Sequence, residues 1–385
     1  MIRWLSRIYR RTGIHAAPRG TLLHWCNHWV QRIVYPLKFR YRNSGGGTPG
    51  LFGSVPYYDI KRMRRTRPVS GLALIFHMGA GDYLMATPLI RALRLAHPDL
   101  PLYAYASTHG DTVNSPLVLE LLKINPLVDR VFAYRGRPRE LWTDYDFADA
   151  LKAIPKDFLI LPVIYDVDPG VFHRTTSLFE TFDLPIDFPL PTPIAYEAPL
   201  SEAAGDLLDM IRQRYDRLAP AGIVCTHFGS RSAGYEYPFI SDLVNRLLKQ
   251  GWLVLSFSPT GVTHDRVIDV DISTITPGDS IELLRALKKA SKRLSLISVN
   301  SLMWPISAAL EIPNLGLHVF RDPALHQYLY PNIFVVTPHF FPTLPAFRLL
   351  LAPPGSYGKR QSADGRTDFV DYRPEYVADL FEGMA

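Results

Sequence analysis

From residue 72 onward, apolar positions fall into two alternating patterns. Short continuous apolar runs, as in strands buried on both faces, alternate with segments whose apolar residues recur every three to four positions, as in helices with one buried side. Leu72 to Phe76 is the first run, and behind it Leu84, Ala86, Leu89, Ile90 and Leu93 lie on helical spacing. Strands are predicted next at Leu102 to Ser107, Arg130 to Tyr134 and Phe158 to Tyr165, with a short helix from Pro116 to Lys123. The proline-rich stretch Pro185 to Pro199 carries no element and marks a linker lying between Pro185 and Ala221, and a helix from Ser201 to Leu218 closes the first half. The second half repeats the alternation. Strands are predicted at Gly222 to Thr226, Leu253 to Ser258, Leu294 to Val299 and Leu315 to Val319, and helices at Phe239 to Lys249, Ser280 to Ala290 and Met303 to Leu310. This alternation predicts an α/β protein with parallel sheets covered on both sides. A last helix, Pro374 to Met384, is expected to cross back and brace the first domain.

The chemistry gathers in the turns behind these strands. Gly79 and Gly81 follow the first strand, where glycine lets the backbone turn sharply and leaves room for a ligand against the main chain. Asp82 falls where a helix N-cap belongs, and Thr87-Pro88 predicts that the helix restarts or bends. A helix N-terminus facing a glycine turn is an anion site. There is neither a Walker lysine nor a third glycine at dinucleotide spacing, so this is no ordinary phosphate loop. In the second half, His227-Phe228-Gly229-Ser230-Arg231-Ser232 follows a strand, and Asn300-Ser301 stands ahead of the helix that begins at Met303. Exposed N–H groups at such turns bind a diphosphate without a metal ion. Asp166-Val167-Asp168 follows another strand and would suit a divalent cation. Its recurrence as Asp269-Val270-Asp271 shows how readily the triplet arises without that role.

Charge adds an arm to this picture. Residues 1–67 hold fourteen Lys and Arg against the single acid Asp59, whereas the remainder of the chain is mildly acidic. Within the arm, Leu22, Leu23, Trp25, Cys26, Trp29, Val30, Ile33 and Val34 form one apolar face at helical spacing. Three readings stay open: packing on the body, contact with a membrane surface, or contact with nucleic acid. Lys61, Arg62, Arg64, Arg65 and Arg67 form a basic cluster at the arm's end, read either as an anionic-surface contact or as a solvated face. The 385 residues suffice for two domains with their own cores. The two cysteines, Cys26 and Cys225, supply neither a disulfide framework nor a cysteine zinc site. No apolar run reaches the roughly 18–20 residues that span a bilayer, and the start lacks a signal peptide's apolar stretch. The expectation is a cytoplasmic protein, or one peripheral to the inner membrane.

The run Gly79-Ala80-Gly81-Asp82-Tyr83-Leu84-Met85-Ala86-Thr87-Pro88-Leu89-Ile90-Arg91-Ala92-Leu93-Arg94, followed by His97-Pro98-Asp99, resembles the opening motif of glycosyltransferase family 9, the bacterial heptosyltransferases. Two further stretches extend the resemblance. Tyr237-Pro238 stands where that family has Trp-Pro, and Asn300 to Leu310 aligns with the motif that holds its nucleotide sugar. This chain departs from the motif at Asn300 for an acid, Leu302 for glycine and Pro305 for histidine, and Tyr235 and Glu236 stand in place of a lysine. The resemblance implies two facing Rossmann-like domains of the GT-B type, a metal-independent inverting transfer with no cofactor, and Asp82 as general base. It places the donor's diphosphate at Gly229, Ser230, Arg231, Ser232, Asn300, Ser301 and Met303, and the acceptor at His77, Gly79 and Gly81.

The expected division is a basic extension, 1–67; an acceptor domain, 68–200; a nucleotide-sugar domain, 201–345; and a tail with the closing helix, 346–385. The expected partners are a nucleotide sugar, a saccharide or lipid-linked acceptor, and a membrane surface reached through the arm. Two rivals stand beside this reading: the same fold acting on modified DNA bases, motivated by the arm, and a binding protein whose donor site has decayed. Residue by residue, Asp82 and Ser301 are also readable as helix caps, His227 and Arg231 as exposed strand-end residues, and His77 as a packed histidine. His77 and Asp111 are the next candidates for the base.

Overall fold

The computed structural model describes residues 60–76, 79–107, 115–134, 153–163, 191–229, 236–299, 301–319, 330–338, 348–361 and 368–384, together with Phe179, Phe182 and Leu184. Its described residues up to 184 belong to one compact unit and those from 191 onward to another. The arm before residue 60 lies outside the described residues, as do His77, Asp111, Asp166 to Asp168, Ser230 to Ser232, Tyr235 and Asn300.

The first unit carries the four-stranded sheet β3-β2-β1-β4, built from β1 (Gly71–Phe76), β2 (Leu102–Ser107), β3 (Arg130–Tyr134) and β4 (Phe158–Val163). Every pairing is parallel, with Leu74 level with Ala104 on one side and Leu161 on the other. All six residues of β1 are buried, as its unbroken apolar run requires for a strand covered on both faces. Helices α1 (Ile60–Thr66), α2 (Ala80–Ala96) and α3 (Ser115–Lys123) complete the unit. Of the basic cluster, Arg64 is held by Asp99 at 2.5 Å and lies 3.4 Å from His97 Nδ1, while Lys61 and Arg65 are exposed.

Helix α2 corrects the expected cap. Its N-cap is Gly79, and Asp82 is the third helical residue, with Oδ2 accepting the Gly79 N–H at 3.3 Å. An acidic side chain one turn inside a helix reaches back to the cap N–H, so a cap signal read from an Asp runs three residues late. The helix also neither restarts nor ends at Pro88. Proline has no N–H for the Leu84 carbonyl, and the buried Thr87 hydroxyl donates to that oxygen instead, at 2.6 Å.

The second unit holds a seven-stranded sheet, all of whose pairings are parallel. Its strands are β5 (Ile223–His227), β6 (Leu253–Ser256), β7 (Val267–Asp269), β8 (Leu294–Val299), β9 (Asn314–Leu317), β10 (Ile333–Thr337) and β11 (Arg348–Leu351), in the order β7-β6-β5-β8-β9-β10-β11. The helices are α4 (Glu202–Leu218), α5 (Ile240–Lys249), α6 (Pro277–Ala290), α7 (Met303–Ala309) and α8 (Pro374–Met384). An antiparallel pair, β12 (Tyr357–Gln361) and β13 (Asp368–Tyr372), precedes α8. The α/β class with parallel sheets is thus as the hydrophobic pattern predicts.

Two segments expected elsewhere are held by this second unit. The extended stretch before α4 is bonded to α6, with Ala198 N–H on Glu282 Oε1 at 3.0 Å and Arg285 on the Ala195 carbonyl at 2.7 Å. The α6 carboxylate Asp279 accepts the N–H and hydroxyl of Ser201 at 2.7 and 2.9 Å and those of Thr276 at 3.0 and 2.9 Å. Burial opposes its ionisation, yet these four bonds outweigh it and hold the carboxyl below its ordinary range. The closing helix α8 buries Val377, Ala378 and Phe381 in this unit's own core, with Phe381 5.1 Å from the Trp252 ring centroid. Its apolar face is therefore taken up by α5 and its neighbours within this unit.

Candidate functional site

In an open parallel sheet, ligands bind outside the carboxyl ends of the strands where the strand order reverses. In the first unit, β1 is followed by β2 and β3 on one side and by β4 on the other, so the reversal falls between β1 and β4. In the second, β5 leads to β6 and β7 on one side and to β8 through β11 on the other, so it falls between β5 and β8. The glycine turn before α2 opens at the end of β1, and the two turns singled out in the second half open at the ends of β5 and β8.

At the first reversal, Gly79, Gly81 and Asp82 are half-buried, and Asp82 belongs to the first turn of α2. The Tyr134 hydroxyl at the end of β3 donates to the last carbonyl of β1, that of Phe76, at 3.2 Å. The edge is thus tied across β2 from a third strand, and the chain leaves β1 for the glycine turn from a fixed point.

The second reversal is built from hydroxyls. Thr226 donates to Ser256 Oγ at 2.8 Å, and Ser256 donates to the Ser258 carbonyl at 2.6 Å. Ser258 Oγ in turn accepts the N–H of Phe228 at 3.0 Å and that of Gly229 at 2.8 Å. A Cβ added at Gly229 would stand only 3.2 Å from Ser258 Oγ, so glycine admits this close approach. The turn is pinched at its base, because Tyr237 N–H returns to the Phe228 carbonyl at 3.2 Å and the two rings pack with centroids 5.2 Å apart. Burial pushes the Tyr237 phenol well above its usual range.

His227 ends β5, level with Ser298 of β8. Burial lowers its pKa to about 4, so the imidazole is neutral at physiological pH. Its Nδ1 is buried and has no partner among the described residues. A buried polar atom left open at such an edge is a place for a ligand group or an ordered water.

At the end of β8, Ser301 Oγ accepts the Met303 N–H at 3.3 Å, and the Ser301 carbonyl accepts the Trp304 N–H at 3.1 Å. Ser301 therefore acts in the local turn ahead of α7, whose own N-cap is Leu302. A closed ring of buried bonds fixes this helix. Trp304 Nε1–H donates to the Ser298 carbonyl at 3.2 Å, and Ser298 Oγ to Asn314 Oδ1 at 3.2 Å. Asn314 Nδ2 donates to Ser307 Oγ at 3.0 Å, and Ser307 Oγ to the Trp304 carbonyl at 2.8 Å. Trp304 lies over Gly316, where an added Cβ would come within 2.7 Å of the indole.

The described part of the expected donor set, Gly229, Ser301 and Met303, thus shares the β5/β8 edge, while Asp82, Gly79 and Gly81 share the β1/β4 edge. Ser258, Ser256 and Asn314 escaped the sequence reading. The one available signal for the first two was hydroxyl alternation, Ser256-Phe257-Ser258, just before the turn at Pro259 to Gly261. Of the two Asp-Val-Asp triplets, the second is engaged locally: Asp269 accepts from Thr260, and Asp271 from Ser273. Among the described residues, no three of His, Cys, Asp and Glu gather as they would around a metal ion, and no helix is long and apolar enough to cross a membrane.

No family model and no curated protein matches the sequence. The chain is similar to several solved structures. The glycosyl transferase family 9 protein from Veillonella parvula DSM 2008 shares 12% identity over 69% of this chain and 85% of its own, with a TM-score of 0.48. For the E. coli heptosyltransferase WaaC with ADP the values are 14%, 81%, 99% and 0.45. For the iron-containing dodecameric glycosyltransferase TibC from enterotoxigenic E. coli H10407 they are 16%, 69%, 62% and 0.41.

Proposed function

We propose that this chain is a metal-independent, inverting glycosyltransferase that moves a sugar from a nucleotide sugar to a saccharide or lipid-linked acceptor. The observation that supports it most is the coincidence of motif and topology: in each unit the strand order reverses at the strand whose carboxyl end opens a motif turn. On this reading the second unit's β5/β8 edge holds the donor, and the first unit's β1/β4 edge holds the acceptor. The Asp82 carboxylate takes the proton of the acceptor hydroxyl, whose oxygen attacks the anomeric carbon as the bond to the diphosphate breaks. Charge developing on the leaving diphosphate is met by hydroxyl donors at the β5/β8 edge, with Arg231 as the cation available in the turn after β5. The acceptor's attachment to a membrane would be served by the basic, aromatic arm.

A thermal-shift screen tests the reading. The full chain would be melted with ADP, UDP, GDP, CMP and their sugar conjugates, with and without Mg²⁺. A ligand at about a hundred times its dissociation constant stabilises the folded state by roughly 2.7 kcal/mol. The expected result is a shift with one nucleotide family that is unchanged by Mg²⁺. A shift that needs Mg²⁺ contradicts metal independence, and no shift with any of them contradicts the transferase.

A further inference from the structure

We infer that the hydroxyl of Ser258 is a direct donor to the diphosphate of the nucleotide, an inference that rests on the donor site proposed above. A serine hydroxyl has two acceptor sites and one proton. Both acceptor sites of Ser258 are filled, by the N–H groups of Phe228 at 3.0 Å and Gly229 at 2.8 Å. With Cβ and two amides in place, only the fourth tetrahedral direction remains for the O–H. The proton cannot swing away without displacing an amide, and it has no acceptor among the described residues.

The neighbouring Ser256 hydroxyl is, by contrast, fully used. Ser256 Oγ accepts from Thr226 and from the Ser258 N–H and donates to the Ser258 carbonyl, so Ser256 cannot take the Ser258 proton. Ser258 is only 5% exposed, and a donor buried that far is normally satisfied. It lies two residues past the carboxyl end of β6, beside the turn after β5, and the open Nδ1 of His227, the last residue of β5, is a second unfilled polar atom at this edge. The same bonds show why the hydroxyl is needed. The Phe228 and Gly229 amides, which a glycine turn would ordinarily turn toward an anion, are already spent on Ser258 Oγ. In exchange the oxygen presents one fixed proton, and an anionic phosphoryl oxygen is the acceptor that gains most from a donor oriented in advance.

The test is isothermal titration of the full chain and of S258A, S258T and S258D, with ADP, UDP and GDP and with the corresponding nucleosides. S258T keeps the hydroxyl. S258D keeps an acceptor for both amides but presents a carboxylate and no proton. The expected result is that S258T binds the preferred diphosphate within about threefold of the parent. A hydrogen bond to a charged group typically contributes enough for a loss of about tenfold or more in S258A, and S258D should show no measurable binding. All four proteins should bind the nucleoside alike. Full diphosphate affinity in S258A overturns the inference, and so does an equal loss for nucleoside and diphosphate, since that would mean Ser258 only holds the turn together. If the parent binds none of the three diphosphates, the proposed donor site fails first and this inference falls with it.

Discussion

Replacing Asp82 by Asn is expected to slow sugar transfer by about 10²- to 10⁴-fold, the usual contribution of a positioned general base, while leaving the donor's dissociation constant unchanged. Asn matches Asp in shape and retains a side-chain oxygen for the Gly79 N–H that Asp82 now accepts at 3.3 Å. The first turn of α2 therefore keeps its geometry. The loss of negative charge at a helix N-terminus costs stability, by roughly 0.3–1 kcal/mol, which is far too little to unfold the unit. The substitution thus separates basicity from structure. The assay is release of nucleoside diphosphate from whichever donor the parent protein uses, with melting and donor titration run on the same samples. Asp82→Asn with more than a tenth of the parent rate would remove Asp82 from the chemistry and leave it as the cap-reaching residue that its bond to Gly79 already makes it.

The second large effect is structural and falls on the other unit. Trp304→Ala is expected to lower stability by about 3–5 kcal/mol, the range for truncating a buried large aromatic. The indole is fully buried, it fills the space above Gly316, and its N–H satisfies the Ser298 carbonyl. Trp304→Phe keeps most of the packing and loses the hydrogen bond to that carbonyl, so it should cost about 0.5–1.5 kcal/mol. Denaturant unfolding of the three proteins gives the comparison. Because the ring of bonds through Ser298, Asn314 and Ser307 fixes α7 behind Ser301, donor affinity should fall along with stability. A Trp304→Ala protein within 1 kcal/mol of the parent would mean that α7 is held by something other than this ring.

The strands that carry the site were legible because each is an apolar run closed by a turn. Leu102 to Ser107, Arg130 to Tyr134 and Leu294 to Val299 are bounded in the structure as their pattern predicts. Other strands were missed, among them the apolar run Ile333–Thr337 and its neighbour Arg348–Leu351. Val267–Asp269 has three residues, too few to show a period. The antiparallel pair Tyr357–Gln361 and Asp368–Tyr372 is rich in charged and polar residues, and its place depends on distant partners: Val370 N–H on the Val319 carbonyl at 2.8 Å and Tyr372 on the His318 carbonyl at 2.7 Å.

The site divides the same way. Gly229 and Asp82 could be picked out because a glycine turn behind a strand, or an acid at a helix start, is a local pattern. Ser258 could not, because its role comes from bonds to residues 29 and 30 positions away. Asn314 looks like any residue of a strand start until Ser298 and Ser307 are seen on either side of it.

Photo-crosslinking will show whether a nucleotide diphosphate sits at the β5/β8 edge of the second unit. The full chain would be irradiated with azido-substituted ADP, UDP and GDP, digested, and the adducts mapped by mass spectrometry, with unlabelled nucleotide as competitor. Competed adducts are expected on peptides that border the ends of β5, β6 and β8, from His227 to Gly261 and from Val299 to Trp304. Competed adducts confined to peptides within residues 60–163, or adducts that no unlabelled nucleotide displaces, would contradict that placement.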